Sequence, residues 1–181
     1  MKIRDLMSAP ARSVRADDSL AHAAQLFWDH DCGMLPVVDD DGRPIAALTD
    51  RDVCIGAWSR GGSLESLRVA DTMSRGAVSV RDDDDVQRAV QRMSEHQLRR
   101  LPVVDADGKV CGVLSLNDLA LAGERDARLA RDAQKVLAAT CRHRGPSEAG
   151  ANTPTNTTVA AASTGRTSGP VTPKRVPPER A

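Results

Sequence analysis

Apolar residues recur at i, i+3, i+4 and i+7 in two segments of the chain, which is the spacing of one face of an α-helix. The first segment contains Leu20, Ala23, Ala24 and Phe27, and the second contains Val86, Ala89, Val90 and Met93. Acidic runs at 17–18 and 82–85 precede the two segments. Because carboxylates stabilise the N-terminus of a helix, we interpret these runs as helix starts rather than metal ligands.

Short apolar runs predict the strands. Runs at 35–38 and 45–48 flank an Asp-Gly pair, and so do runs at 101–104 and 110–114. Asp-Gly between two such runs is typical of a β-hairpin. A brief strand is predicted at 13–15 and again at 79–81, and further helices are predicted to begin near Asp50 and Leu116. The order of elements is therefore βαββα, used twice.

The two halves are copies of one unit. Residues 3–53 align with residues 69–119 at a constant offset of 66, with 21 identities in 51 pairs and no gap. A unit of about 50 residues buries too little apolar surface to be stable alone. We therefore expect the copies to pack sheet to sheet around one core. The predicted division is repeat 1 with its linker at 1–66, repeat 2 with an extended C-terminal helix at 67–144, and a tail at 145–181.

The end of the chain changes character twice. One long helix is predicted from Leu116 onward, and its apolar side either packs on its own domain or covers another subunit; the sequence leaves both open. That side contains Leu129, Ala133, Val136 and Leu137. Residues 145–181 contain six of the ten prolines and no Leu, Ile, Met or aromatic residue. Such a composition cannot bury enough apolar surface to fold, so we expect the tail to be disordered.

Composition narrows the classes of function. The chain has 25 basic and 25 acidic residues, two Trp, one Phe and no Tyr, which favours neither nucleic acid nor a membrane as a partner. The four cysteines show no metal-ligand spacing and are interpreted as reduced, mostly buried thiols of a cytoplasmic protein. The histidines are dispersed and no nucleophile triad or phosphate loop occurs, so we do not expect an enzyme.

One short motif has two interpretations. Thr49 and Asp52 stand three residues apart where a strand gives way to a helix, and Ser115 and Asp118 repeat the arrangement. The pair forms a capping box in the first interpretation. In the second, the hydroxyl and the helix N-terminus meet a phosphate while the carboxylate accepts hydrogen bonds from a ribose. The two roles are compatible.

The duplicated unit resembles a pair of CBS domains, also called a Bateman module, over residues 3–119. The matching segments are "DLMS" and "DTMS", "LPVVD" in both copies, the Asp-Gly hairpins, and the closing "ALTDRD" and "GVLSLND". The run "EHQLRRLPVV" also resembles the small stand-alone proteins of the hypoxic-response-protein type. The resemblance implies a mixed α/β fold in which two βαββα repeats pack as a pseudo-twofold pair.

The resemblance also implies a regulatory module that binds AMP, ADP, ATP or S-adenosylmethionine between the repeats and requires no cofactor. Phosphate would meet Thr49, Ser115 and Arg100. Ribose would meet Asp52 and Asp118, and Val14 and Val80 would line the adenine pocket. A homodimer acting on an unidentified protein target is expected. The alternative is a ligand-free dimeric scaffold or stress-response protein.

The first copy departs from the family pattern at two positions. Met34 stands where the second copy has Arg100, and Ala46 stands where it has Gly112. A methyl group at a point of close backbone approach is expected to narrow the cleft. We therefore expect the second-copy site to be the better one.

Overall fold

The computed structural model describes residues 1–142, so the predicted disordered tail at 145–181 lies outside the described residues. Each repeat contains two helices and one three-stranded sheet. Repeat 1 comprises β1 (Val14–Arg15), α1 (Leu20–Asp29), β2 (Met34–Val38), β3 (Pro44–Thr49) and α2 (Asp50–Arg60). Repeat 2 comprises β4 (Val80–Arg81), α3 (Val86–His96), β5 (Arg100–Val104), β6 (Val110–Ser115) and α4 (Leu116–Gly123). A further helix, α5, spans Ala127–Cys141.

The two sheets have the same topology. In each, the short first strand runs parallel to the second, and the second pairs antiparallel with the third. Gly42 and Gly108 adopt φ values of +79° and +80° in the connecting turns, a conformation that glycine adopts without steric cost. The predicted Asp-Gly hairpins are confirmed.

The segment before each repeat crosses to the other repeat. We call residues 2–8 the first strap and residues 68–74 the second strap. The Ile3 N–H donates to the Asp84 carbonyl at 3.0 Å, and the Val69 N–H donates to the Asp18 carbonyl at 2.9 Å. These two hydrogen bonds are related by the offset of 66 in opposite directions, which is the signature of a pseudo-twofold exchange.

The exchange produces two buried cores where the sequence predicted one. Ile3 is fully buried in the core of repeat 2, and Val69 is fully buried in the core of repeat 1. The prediction of a single sheet-to-sheet core is therefore wrong: each repeat closes its own apolar cluster, and a strap from the other repeat completes it.

The predicted long C-terminal helix is broken. Helix α4 ends at Gly123, and α5 begins after Asp126, whose carboxylate accepts the Arg128 N–H at 2.8 Å as an N-cap. A side chain at Gly123 would come within 2.8 Å of the Ala130 backbone, so the two helices approach closely there. The apolar side of α5 packs on its own domain through Leu129, Ala133 and Val136.

No helix within residues 1–142 combines the length and the apolar character needed to cross a membrane.

Candidate functional site

A cleft of about 430 Å³ lies between the repeats. One wall comes from repeat 1, from residues 8–12 and the loop between α1 and β2. The other wall comes from repeat 2, where β6 passes directly into α4. The predicted residues Arg100, Ser115 and Asp118 all line this cleft. The structure therefore brings the expected second-copy residues together.

The β6–α4 junction has the local geometry of a capping box. The backbone N–H and the hydroxyl of Ser115 both donate to Asp118 Oδ2 at 2.7 Å. The Asp118 N–H donates in return to Ser115 Oγ at 3.2 Å. The cap interpretation is confirmed. Within residues 1–142 no hydrogen bond reaches Asp118 Oδ1, so one carboxylate oxygen retains its capacity to accept.

The first repeat forms the same cap in different surroundings. The Thr49 N–H and hydroxyl donate to Asp52 Oδ2 at 2.9 and 2.7 Å, and the Asp52 N–H donates to Thr49 Oγ1 at 3.2 Å. Neither residue lines the cleft described above. A ligand-binding role for this pair stays a prediction.

Arg100 connects the two repeats across the cleft. It lies at the start of β5, directly opposite Ser115 in the strand pairing. Its Nη1 donates to the carbonyl of Gly33 in repeat 1 at 3.3 Å. A Cβ at Gly33 would lie only 2.7 Å from Arg100 Nη2, so a glycine leaves room for this guanidinium. The equivalent residue of repeat 1, Met34, is buried and also lines the cleft.

The two predicted adenine-pocket residues belong to the cores. Val14 and Val80 are 2% and 4% exposed, and both pair with a neighbouring strand rather than line the cleft. Their contact with a ligand base stays a prediction.

Gly112 lies at a close contact between β6 and the first strap. A Cβ at Gly112 would lie 2.5 Å from Met7 Sδ and 3.0 Å from the Ser8 carbonyl. The close approach is therefore between β6 and the first strap. That contact explains the glycine at 112, and the expectation that Ala46 narrows the first-copy cleft stays a prediction.

Other cleft residues were not found from the sequence: Arg12, His30, Asp31, Cys32 and Asn117. The sequence marks them only by their position: Arg12 lies just before β1, and His30 and Asp31 lie just after α1. Placing them in a cleft with α4 requires the strap exchange, which leaves no mark on the periodicity.

The cysteines are less buried than expected. Cys32 and Cys111 are half-buried, and Cys54 and Cys141 are exposed. Burial raises the pKa of Cys32, an effect that the nearby Arg100 charge only partly opposes, and burial likewise raises the pKa of Cys111. All four are free thiols. No group of three or more histidine, cysteine or acidic residues in the described part of the chain is arranged to hold a metal ion.

The protein-family model of the CBS domain matches residues 3–55 and 69–124 of the sequence, which together make up more than half of the chain. The chain belongs to the CBS-domain family. Each matched segment contains one of the two capping boxes, and the cleft lies between the two segments. CBS-domain pairs are regulatory modules.

Several proteins are similar to this chain along most of their own length. Uncharacterized protein YlbB of Bacillus subtilis is 35% identical over 131 residues, covering 70% of this chain and 85% of that protein. Hypoxic response protein 1 of Mycobacterium tuberculosis is 32% identical over 117 residues, covering 65% and 81%. The resemblance to the hypoxic-response-protein type is confirmed.

Solved structures share the fold. The crystal structure of Hypoxic Response Protein I with two coordinated zinc ions is 30% identical, with a TM-score of 0.61 over 67% of this chain and 98% of that one. CBSX2 from Arabidopsis thaliana in complex with AMP is 28% identical, with a TM-score of 0.59 over 70% of this chain and 98% of that one. The mixed α/β fold of two paired βαββα repeats is thereby confirmed.

Proposed function

We propose that this CBS-domain protein is a non-catalytic regulatory module that binds an adenosine-containing ligand in the cleft between its repeats. The observation that carries the proposal is the convergence of Arg100, Ser115 and the free oxygen of Asp118 on one cleft. Arg100 and Ser115 would hold the phosphate, because a guanidinium forms strong charge-assisted hydrogen bonds to phosphate oxygens. Asp118 Oδ1 would accept hydrogen bonds from the ribose hydroxyls. The AMP complex of the related CBSX2 supports an adenine nucleotide as the ligand.

Regulation follows from where the ligand would sit. A ligand changes the balance between two states only through its different affinity for them. Since the cleft walls come from both repeats, a bound nucleotide would favour the arrangement in which Arg100 and the loop around Gly33 are close together. Micromolar affinity corresponds to about 8 kcal/mol of standard binding free energy, part of which is available to bias the pair.

The proposal is tested by two matched substitutions, Asp118→Ala and Asp52→Ala. Each removes one capping box and should cost about 1 kcal/mol of stability. Only Asp118→Ala should abolish the rise in melting temperature produced by AMP, ADP, ATP or S-adenosylmethionine, because only Asp118 lines the cleft. Thermal shift with calorimetric titration measures both effects. A wild-type protein that none of these ligands stabilises, or a response lost in Asp52→Ala alone, would contradict the proposal.

We also propose that the protein forms a homodimer through α1 and α2, which pack against each other. The two tryptophans of the chain, Trp28 and Trp58, lie on these helices and are 87% and 85% exposed. In repeat 2, α5 packs over the corresponding helices α3 and α4. A second copy is the occupant we propose, since four tryptophans across a dimer would bury about 600–1,000 Å², half or more of the roughly 1,200 Å² that a stable interface needs.

The second repeat supplies the variant that tests the dimer. Its residues at the equivalent positions are Ser94 and Glu124, so we expect the double variant Trp28→Ser/Trp58→Glu to be monomeric by light scattering. The control Leu137→Glu, on the exposed side of α5, should remain dimeric. A monomeric wild type, or a dimeric double variant, would exclude this interface.

The exposed tryptophans also favour the second candidate function, a ligand-free dimeric scaffold that recruits a protein target. A dimer that none of the four ligands stabilises would support this alternative. A cytoplasmic location and the identity of the target stay predictions.

A further inference from the structure

We infer that Arg12 is a specificity-determining residue of the cleft and that, together with Arg100, it selects nucleotides with a single phosphate group. This inference rests on the proposed function and deepens it. The family resemblance implies no role for Arg12, which lies outside the short motifs on which that resemblance is based.

The strap exchange is what brings Arg12 to the cleft. The N–H groups of Ser8 and Val113 each donate to the other residue's carbonyl at 3.0 Å, which attaches the first strap to β6. Arg12 lies four residues after Ser8 and lines the cleft together with Arg100. A residue of repeat 1 thereby contributes a charge to a cleft whose capping box belongs to repeat 2.

Arg12 is free of the ion pairs that engage four other arginines of the chain. Arg4, Arg15, Arg60 and Arg81 each form an ion pair with an aspartate. Within residues 1–142, Arg12 has no carboxylate within ion-pair distance. An exposed guanidinium on the wall of a cavity, without a protein partner, is available to an anionic ligand.

The charges that line the cleft limit the number of phosphate groups that a ligand can carry. Arg12 and Arg100 are its permanent cations, and Asp31 and Asp118 are its carboxylates. One phosphate monoester carries a charge of about −1.5 to −2 at pH 7, which two guanidinium groups can pair. Further phosphates would add negative charge for which the lining offers no additional permanent cation. A volume of about 430 Å³ also lies near the small end of the range for ligand pockets, roughly 300–1,000 Å³.

The pseudo-twofold equivalent shows that this charge is particular to one cleft. The second strap leads to Val78, which occupies the position equivalent to Arg12. The exchange therefore brings a guanidinium to the cleft at Asp118, whereas Val78 is partly buried against the core of repeat 2. The cleft at Asp118 is the one that gains affinity for phosphate.

The test compares adenosine, AMP, ADP and ATP by calorimetric titration of the full chain at pH 8. The wild type should bind AMP more tightly than ADP and ATP. Arg12→Gln should weaken AMP about tenfold, the loss of one charge-assisted contact, and leave adenosine affinity unchanged. Arg128→Gln removes the same charge from the exposed start of α5 and should change neither affinity.

The outcomes separate the inference from the proposed function. If AMP binds the wild type and Arg12→Gln leaves the ratio of AMP to adenosine affinity unaltered, the role of Arg12 is refuted and the nucleotide site stands. Tighter binding of ATP than of AMP would likewise overturn the single-phosphate selection alone. If neither adenosine nor AMP binds the wild type, the proposed function fails together with the inference.

Discussion

Cys32 offers a probe of the cleft at the scale of a single residue. Cys32 and Cys111 are both half-buried, and burial raises the pKa of each thiol because the thiolate is poorly solvated there. They differ in place, since Cys32 lines the cleft and Cys111 packs against the core of repeat 2. Cys111 is therefore a matched control for any effect of a ligand on Cys32.

We predict that iodoacetamide alkylates Cys54 and Cys141 before the two half-buried thiols. The thiolate is the reactive form, so a raised pKa slows alkylation of Cys32 and Cys111 at pH 8 and moves their rise in rate to higher pH. AMP should slow the reaction at Cys32 and leave Cys111 unaffected. Peptide mass spectrometry over time follows each site. Equal protection of the two thiols, or none at Cys32, would argue against a ligand in this cleft.

Local motifs account for the site residues that the sequence identified. Ser115 and Asp118 are recognisable because a capping box needs a hydroxyl and a carboxylate three residues apart. Arg100 stands directly before the apolar run of β5 and follows the family pattern. Arg12 and Cys32 carry no such local signal, because their place in the cleft depends on contacts between distant segments.

At the scale of the element, α5 packs over the helices of repeat 2 and shields them from solvent. Leu129 is 5% exposed and faces the core, whereas Leu137 on the same helix is 47% exposed. The buried carboxylate of Asp132 supports the packing by accepting hydrogen bonds from Gln87 on α3 and from Lys135. The helix is thus an integral layer of the second repeat.

The two leucines give a test of this layer. Leu129→Ala should lower the free energy of unfolding by about 2–5 kcal/mol, the range for a buried leucine that leaves a cavity. Leu137→Ala, on the exposed side, should change it by no more than about 0.5 kcal/mol. Urea titration monitored by circular dichroism measures both. Similar losses for the two variants would mean that α5 does not pack as described.

Most elements follow from periodicity, and the break before α5 does not. The helices α1 and α3 and the hairpins have their own local patterns: the predicted apolar positions lie within the two helices, and the hairpin strands were predicted to within one residue at each end. Between Gly123 and Asp126 no proline interrupts the helical pattern. The chain turns there because α5 packs back on α4 beside Gly123, and such a tertiary contact is not visible in local sequence.

At the scale of the molecule, the exchanged straps couple the stabilities of the two repeats. Ile3 completes the core of repeat 2 and Val69 completes that of repeat 1. A gap-free tandem alignment is equally compatible with straps that stay on their own repeat. The sequence therefore predicted the pairing of the repeats but not the exchange or the two separate cores.

We predict that Ile3→Ala weakens both repeats together. Removing this buried side chain should cost about 2–5 kcal/mol, and native-state hydrogen exchange should show the loss in β2–β3 as well as in β5–β6. Ile45→Ala, at a position that is 41% exposed, should have little effect. A loss of protection confined to repeat 2 would show that the repeats unfold independently.

Hydrogen exchange of the full chain with and without AMP, measured by mass spectrometry, tests the central claim most directly. A nucleotide in the cleft should slow exchange in three separated segments at once: residues 8–12, the loop at 30–34, and the β6–α4 junction around Ser115 and Asp118. The first repeat's cap at Thr49 should change little. Protection centred on Thr49 and Asp52, or no protection at saturating AMP, would contradict the account.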